Sequence, residues 1–297
     1  MLQFLARHRL LPYLLLVISA ASWGGNWVAA RAIYLDVPPF ALVFWRWALA
    51  AAVLFPFVAG QLREEAPLMR RQLPAIFGFG IIGTAGFTMF GYWGVRYTTA
   101  VNATLLNAAL PAFIVPLSWW LHRLTVSGRQ TTGLVLSLAG AVCIISAGSM
   151  QTLLQLSLNP GDVLLLCGAL LWALYTVLLK WRPPLRPLTF VFATVVAGAL
   201  FSAPFYIGEL WAGGMMVVSV KTVAAIAYLA IFPSLVAYLC WNHAVAAVGP
   251  NIAGFFNPLI PVFGAVFAMI FLGERLQPYH LAGFAFVLGG VILTSRR

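Results

Sequence analysis

Charge is what this sequence has least of. Asp, Glu, Lys and Arg make up 8% of its 297 residues, where a soluble domain carries about 25%. With 63% hydrophobic residues there is too little polar surface for a chain in water. That excludes a soluble enzyme, a disordered protein and a nucleic-acid-binding domain. Acids are scarcest of all. The six are Asp36, Glu64, Glu65, Asp162, Glu209 and Glu274, and each falls in a connection or near the end of an apolar run. A cation antiporter or a carrier coupled through a buried carboxylate needs such a group at mid-membrane, and none is placed there. The 3 cysteines, Cys143, Cys167 and Cys240, lie inside apolar runs without paired spacing, which points to packing and not to disulfides or metal ligation. No His-Glu cluster, Asp pair or nucleophile–base arrangement is visible, so an enzyme is not expected, and neither cofactor nor metal is implied. No stretch is large and polar enough for an extramembrane domain.

What is present is a series of long apolar runs, approximately 10–34, 39–60, 73–95, 99–121, 128–148, 161–181, 187–208, 220–245, 251–273 and 277–295, and a mean hydropathy of +0.97. Each is long enough to cross a bilayer as a helix. They are too long and too uniformly apolar for barrel strands. The first run extends too far for a signal peptide and is read as a transmembrane helix. The expected fold is therefore an all-α membrane protein of ten transmembrane helices. The net charge of +11 does not form a nucleic-acid patch. With both termini on one side, twelve Lys and Arg fall there and four on the other, with Arg46 left inside a span. By the positive-inside rule the majority side is cytoplasmic. This predicts a multi-pass protein of a bacterial inner membrane with both termini in the cytoplasm and the lipid bilayer as its surroundings.

The chain repeats itself. Residues 105–113, LLNAALPAF, lie over 255–263, FFNPLIPVF, and the same offset brings Gly133 onto Gly283 and Gly140 onto Gly290. An offset one residue shorter brings Trp23 onto Trp172 and Arg31 onto Lys180. Two five-helix units, 1–150 and 151–297, are expected. Five being odd, they enter the membrane with opposite orientation, and the arrangement predicted is two inverted repeats around a central cavity. Such a duplicated fold can form its own pathway as a monomer.

Polar residues on single helix faces mark that cavity. Trp23, Asn26 and Trp27 share a face of the first span. Thr84, Thr88 and Tyr92 step by four in the third, Trp172 and Tyr175 share a face in the sixth, and Ser234, Tyr238 and Asn242 in the eighth. Asn102 and Asn107 open the fourth span and Asn257 stands in the ninth. These are the candidate substrate-binding residues. Arg46, two turns into the second span, is either a partner for a substrate carboxylate or a clamp on helix-end carbonyls.

The segment PLIPVFGAVFAMIFLGERLQPYHLAGFAFVLGGVILTS (258–295), with SWGGNWVAAR in the first span and PPFALVFWRWALAAAVLF in the second, resembles the ten-span EamA-type branch of the drug/metabolite transporter superfamily. The pattern departs at Leu121-His122-Arg123-Leu124, where that branch often repeats Leu-Gly-Glu-Arg. The chain is similar to the aromatic amino acid exporters of the YddG type. The resemblance implies a secondary carrier exporting a small molecule by alternating access, with aromatic or other large neutral amino acids as substrates. Export of lipophilic drugs or organic anions is the alternative.

Overall fold

The computed structural model describes residues 10–98, 107–155, 159–272 and 275–295. It contains helices α1 (Leu11–Ile33), α2 (Pro39–Arg71), α3 (Leu73–Gly94), α4 (Pro111–His122), α5 (Gly128–Ile145), α6 (Pro160–Trp181), α7 (Pro187–Trp211), α8 (Val220–Val248), α9 (Leu259–Leu272) and α10 (Pro278–Ser295). Among the described residues, nine helices are long and apolar enough to cross a membrane. The tenth expected span, 99–121, falls partly on residues 99–106, outside the described ones, and α4 is its described part.

Local chemistry sets the ends. Proline begins α2, α4, α6 and α7, where its missing N–H costs nothing. Ser127, Asn159 and Ser219 close capping boxes at the starts of α5, α6 and α8. α2 runs to Arg71, well past the expected end at residue 60. Its 33 residues make a rod of about 50 Å, longer than a hydrocarbon core of about 30 Å. The excess is the charged stretch after Gln61.

The helices pair as two-fold exchange of five-helix units demands. α5 packs on α10 and α2 on α7; α1 packs on α8 and α9, as α6 packs on α3 and α4; α2 meets α8 as α7 meets α3. The α5–α10 seam shows the axis most plainly. A Cβ on Gly133 would lie 2.7 Å from the Gly290 carbonyl oxygen, and one on Gly140 would lie 2.6 Å from that of Gly283. The glycines that superpose in sequence thus meet each other crosswise in an antiparallel pair, as close packing of small residues allows. α2 and α7 cap one another in the same way. The Glu209 carboxylate at the end of α7 accepts from the Ala41 N–H (2.8 Å) and the Phe40 N–H (3.3 Å) at the start of α2. Glu65 of α2 accepts from the Arg186 N–H just before α7 at 3.0 Å, and Gln61 accepts from the Thr189 hydroxyl at 3.1 Å.

Candidate functional site

The site begins with a break in two helices. α3 and α8 each change to π-helical hydrogen bonding in mid-span, over Gly80–Gly86 and Ala230–Val236. These segments are offset by 150, the spacing of the sequence repeat. A π segment loosens the regular ladder and leaves carbonyls for other donors. Pro233, lacking an N–H, does so in α8, and the Ser234 hydroxyl donates to the Leu229 carbonyl at 2.8 Å. Two carbonyls within these segments accept from aromatic side chains. Trp23 Nε1 donates to Pro233 O at 3.1 Å, and Tyr238 Oη donates to Gly83 O at 2.5 Å.

Aromatic rings interlock beside these segments. Trp23 stands edge-on to Trp172 at 5.0 Å between centroids and to Trp241 at 5.2 Å. Trp172 also meets Tyr175 (5.3 Å), Phe87 (5.2 Å) and Tyr238 (5.4 Å). Trp23 and Trp172, matched by the repeat, therefore touch each other at the pseudo-two-fold axis.

Polar pairs follow the same symmetry. Tyr92 Oη donates to Asn26 Oδ1 at 3.0 Å, and Tyr175 Oη donates to Asn242 Oδ1 at 2.9 Å. Asn26 corresponds to Tyr175 and Tyr92 to Asn242, so each half contributes one Tyr–Asn bridge with the roles exchanged.

Arg46 breaks the symmetry. Pro39, Pro56 and Phe57 of α2 correspond to Pro187, Pro204 and Phe205 of α7, which sets Arg46 against Thr194. Arg46 is 3% exposed. Its Nε donates to Ser234 Oγ at 2.6 Å, and its Nη1 donates to Asn26 Oδ1 (2.9 Å) and Tyr92 Oη (2.6 Å). Its guanidinium carbon lies 4.8 Å from the Trp47 ring centroid. Neither ion pair found among the described residues involves it, and its Nη2 has no hydrogen-bond partner among them.

A small cavity lies against this cluster, with about 470 Å³ of empty space when its open mouth is included. Of the residues expected from sequence, Trp23, Asn26, Arg46, Thr88, Tyr92, Asn107, Trp172 and Asn257 line it. Thr84, Tyr175, Ser234, Tyr238 and Asn242 lie behind the lining, each 3% exposed or less. Asn102 and the Trp27 side chain lie outside the described residues. Phe87, Gly91, Leu110 and Ile260 complete the wall. Sequence reasoning did not single them out, though Phe87 and Gly91 share a turn with Thr88, and Leu110 and Ile260 coincide in the repeated segments. The Asn257 amide nitrogen donates to the Gly254 carbonyl at 3.0 Å, while its buried Oδ1 has no hydrogen bond. An unpaired buried acceptor is costly. No group of three His, Cys, Asp or Glu able to hold a metal occurs among the described residues. The site's chemistry is thus one guanidinium, amide and hydroxyl groups, and aromatic faces.

The comparisons agree with this architecture. The sequence profile described as the EamA-like transporter family matches residues 10–146 and again 159–296. An uncharacterized transporter of Archaeoglobus fulgidus is 28% identical over 293 residues, covering 96% of this chain and 97% of the relative. A probable terminal-alkyne amino-acid exporter of Streptantibioticus cattleyicolor is 27% identical over 287 residues, covering 95% and 92%. A solved crystal structure superposes with a TM-score of 0.80 at 20% identity, covering 96% of both chains, which establishes the fold. With the family profile matched once by each half of a helical bundle built on a two-fold exchange, this chain is a multi-pass membrane transporter and belongs to the EamA-like transporter family.

Proposed function

We propose that this transporter exports aromatic or other large neutral amino acids from the cytoplasm across a bacterial inner membrane, with both termini cytoplasmic and a single chain forming the pathway. The observation that carries the reading is Arg46. A guanidinium at 3% exposure without an acidic partner among the described residues is expensive in a low-dielectric interior, and a carboxylate arriving with the substrate offsets that cost with charge-assisted hydrogen bonds. The unpaired Asn257 Oδ1 on the same cavity suits an ammonium group. Trp23, Phe87 and Trp172 offer ring faces and edges to an apolar side chain. The S. cattleyicolor relative, named as a probable terminal-alkyne amino-acid exporter, supports amino acids as the substrate class. Alternating access follows from rocking the α1–α8–α9 group against the α6–α3–α4 group about the axis between Trp23 and Trp172.

The test is counterflow of labelled phenylalanine in liposomes holding the purified protein. Two competitors, 3-phenylpropionate with no amine and phenethylamine with no carboxylate, separate the two charges. Saturable phenylalanine exchange, weakly inhibited by phenylpropionate and untouched by phenethylamine, is expected. Uptake of phenethylamine or cationic dyes without any of amino acids overturns the proposal. Arg46 also favours one second reading, export of organic anions. Phenylpropionate exchanging as well as phenylalanine would select it.

A further inference from the structure

The repeat supplies a template for what the cavity holds. α3 and α8 superpose at an offset of 150, fixed by their π segments and by Ile76 on Ile226, Ile81 on Ile231 and Val95 on Val245. Under that offset Gly91 corresponds to Trp241. Trp241 is 1% exposed, and its indole packs on Trp23 and Trp172, at 5.2 and 5.7 Å between centroids. Gly91 has no side chain and lines the cavity together with the same two tryptophans. Phe87 and Thr88, on the cavity wall, correspond to Ala237 and Tyr238, which are 0% and 1% exposed. One side of the Trp23–Trp172 pair is thus filled by an indole belonging to the protein. On the other side the equivalent position is a glycine on the cavity wall, and the Phe87 ring beside it packs on Trp172 at 5.2 Å.

We infer that the space at Gly91 is the side-chain subsite, that it takes an indole- or phenyl-sized ring against Trp23 and Trp172 in the manner of Trp241, and that Gly91 determines the ring size admitted. The inference rests on the proposed amino-acid site, to which it adds the place and shape of the side chain. With the carboxylate at Arg46, the substrate's ring occupies the volume that a side chain at position 91 would take. A glycine there sets the upper size limit, because any Cβ branch projects into the ring's place. A hydrophobic pocket grades ligands by the groups it has room for.

Gly91→Leu tests this with two readouts. In counterflow the ratio of tryptophan to alanine exchange is expected to fall about tenfold or more, since a pocket changed by several methylenes discriminates at that level. In thermal unfolding in detergent, indole alone is expected to raise the wild-type midpoint saturably and to lose that effect in the variant. An unchanged tryptophan-to-alanine ratio, or an equal indole shift in both proteins, overturns the inference. An indole shift lost in Gly91→Leu, from a wild type that exchanges no amino acid, keeps the ring subsite and removes the amino-acid reading. The converse, amino-acid exchange indifferent to position 91, removes the subsite alone. If the leucine variant does not fold, Gly91→Ala takes its place. There 5-methyltryptophan is expected to lose more exchange than tryptophan, and alanine least; equal losses overturn the subsite.

Discussion

Replacing Arg46 by Met separates a substrate partner from a structural clamp. The side chain gives three hydrogen bonds, to Ser234, Asn26 and Tyr92. Bonds to a charged donor are worth about 1.5–3 kcal/mol each, and their gross loss would unfold a marginal protein. Two features oppose this. Burying the charge costs several kcal/mol, which the apolar methionine does not incur. The abandoned partners are not orphaned either, because Tyr92 still donates to Asn26 at 3.0 Å and Ser234 to the Leu229 carbonyl at 2.8 Å. The net change in stability is expected within about 2 kcal/mol of zero. Transport behaves differently. Losing the partner of a buried carboxylate costs about 2–5 kcal/mol, which is about thirtyfold or more in exchange rate at subsaturating phenylalanine. The assay pairs thermal unfolding with counterflow, normalised to folded protein. A methionine variant that exchanges phenylalanine at the wild-type rate would refute the assignment. A collapsed melting temperature with unchanged exchange per folded molecule would make Arg46 the clamp.

Other outcomes follow from single contacts. Gly140→Val places atoms against the Gly283 carbonyl and should lower stability by about 1–3 kcal/mol, read from the melting temperature. Trp23→Phe deprives the Pro233 carbonyl of its donor; about 1–2 kcal/mol should be lost, with exchange reduced because the ring also lines the cavity. Trp172→Ala should cost about 3–5 kcal/mol, since five rings pack on that indole. Its folded yield in detergent should fall, so Trp172→Phe is the better probe of transport. Lys221→Ala breaks an ion pair with Asp36 at 3.0 Å in which the lysine is 60% exposed, and should shift the melting temperature by under about 1 kcal/mol equivalent.

Much of the architecture was readable from residues alone, because helices in lipid must satisfy their own backbone and so betray themselves by length and polarity. The matched glycines of α5 and α10 marked the repeat, but not that Gly133 meets Gly290 and Gly140 meets Gly283. The π segments were hidden, since hydropathy carries no information on hydrogen-bond register; GIIGTAG and AIFPSLV at the repeat spacing were the available hint. Helical periodicity names a face but not a depth. Thr84, Tyr175, Ser234, Tyr238 and Asn242 share faces with cavity residues yet sit one layer behind them, while Gly91 lines the wall and offers no polarity to notice. The end of α2 was missed for the opposite reason, as polar residues sustain a helix in water as readily as apolar ones do in lipid.

The unlike residues at positions 46 and 194 decide more than affinity. Were both halves identical, a second guanidinium would stand at position 194, beside Thr84 and behind the cavity wall, and charge would no longer mark one side of the Trp23–Trp172 pair. The zwitterion proposed as substrate has a direction, and halves that have diverged give it a single orientation to adopt.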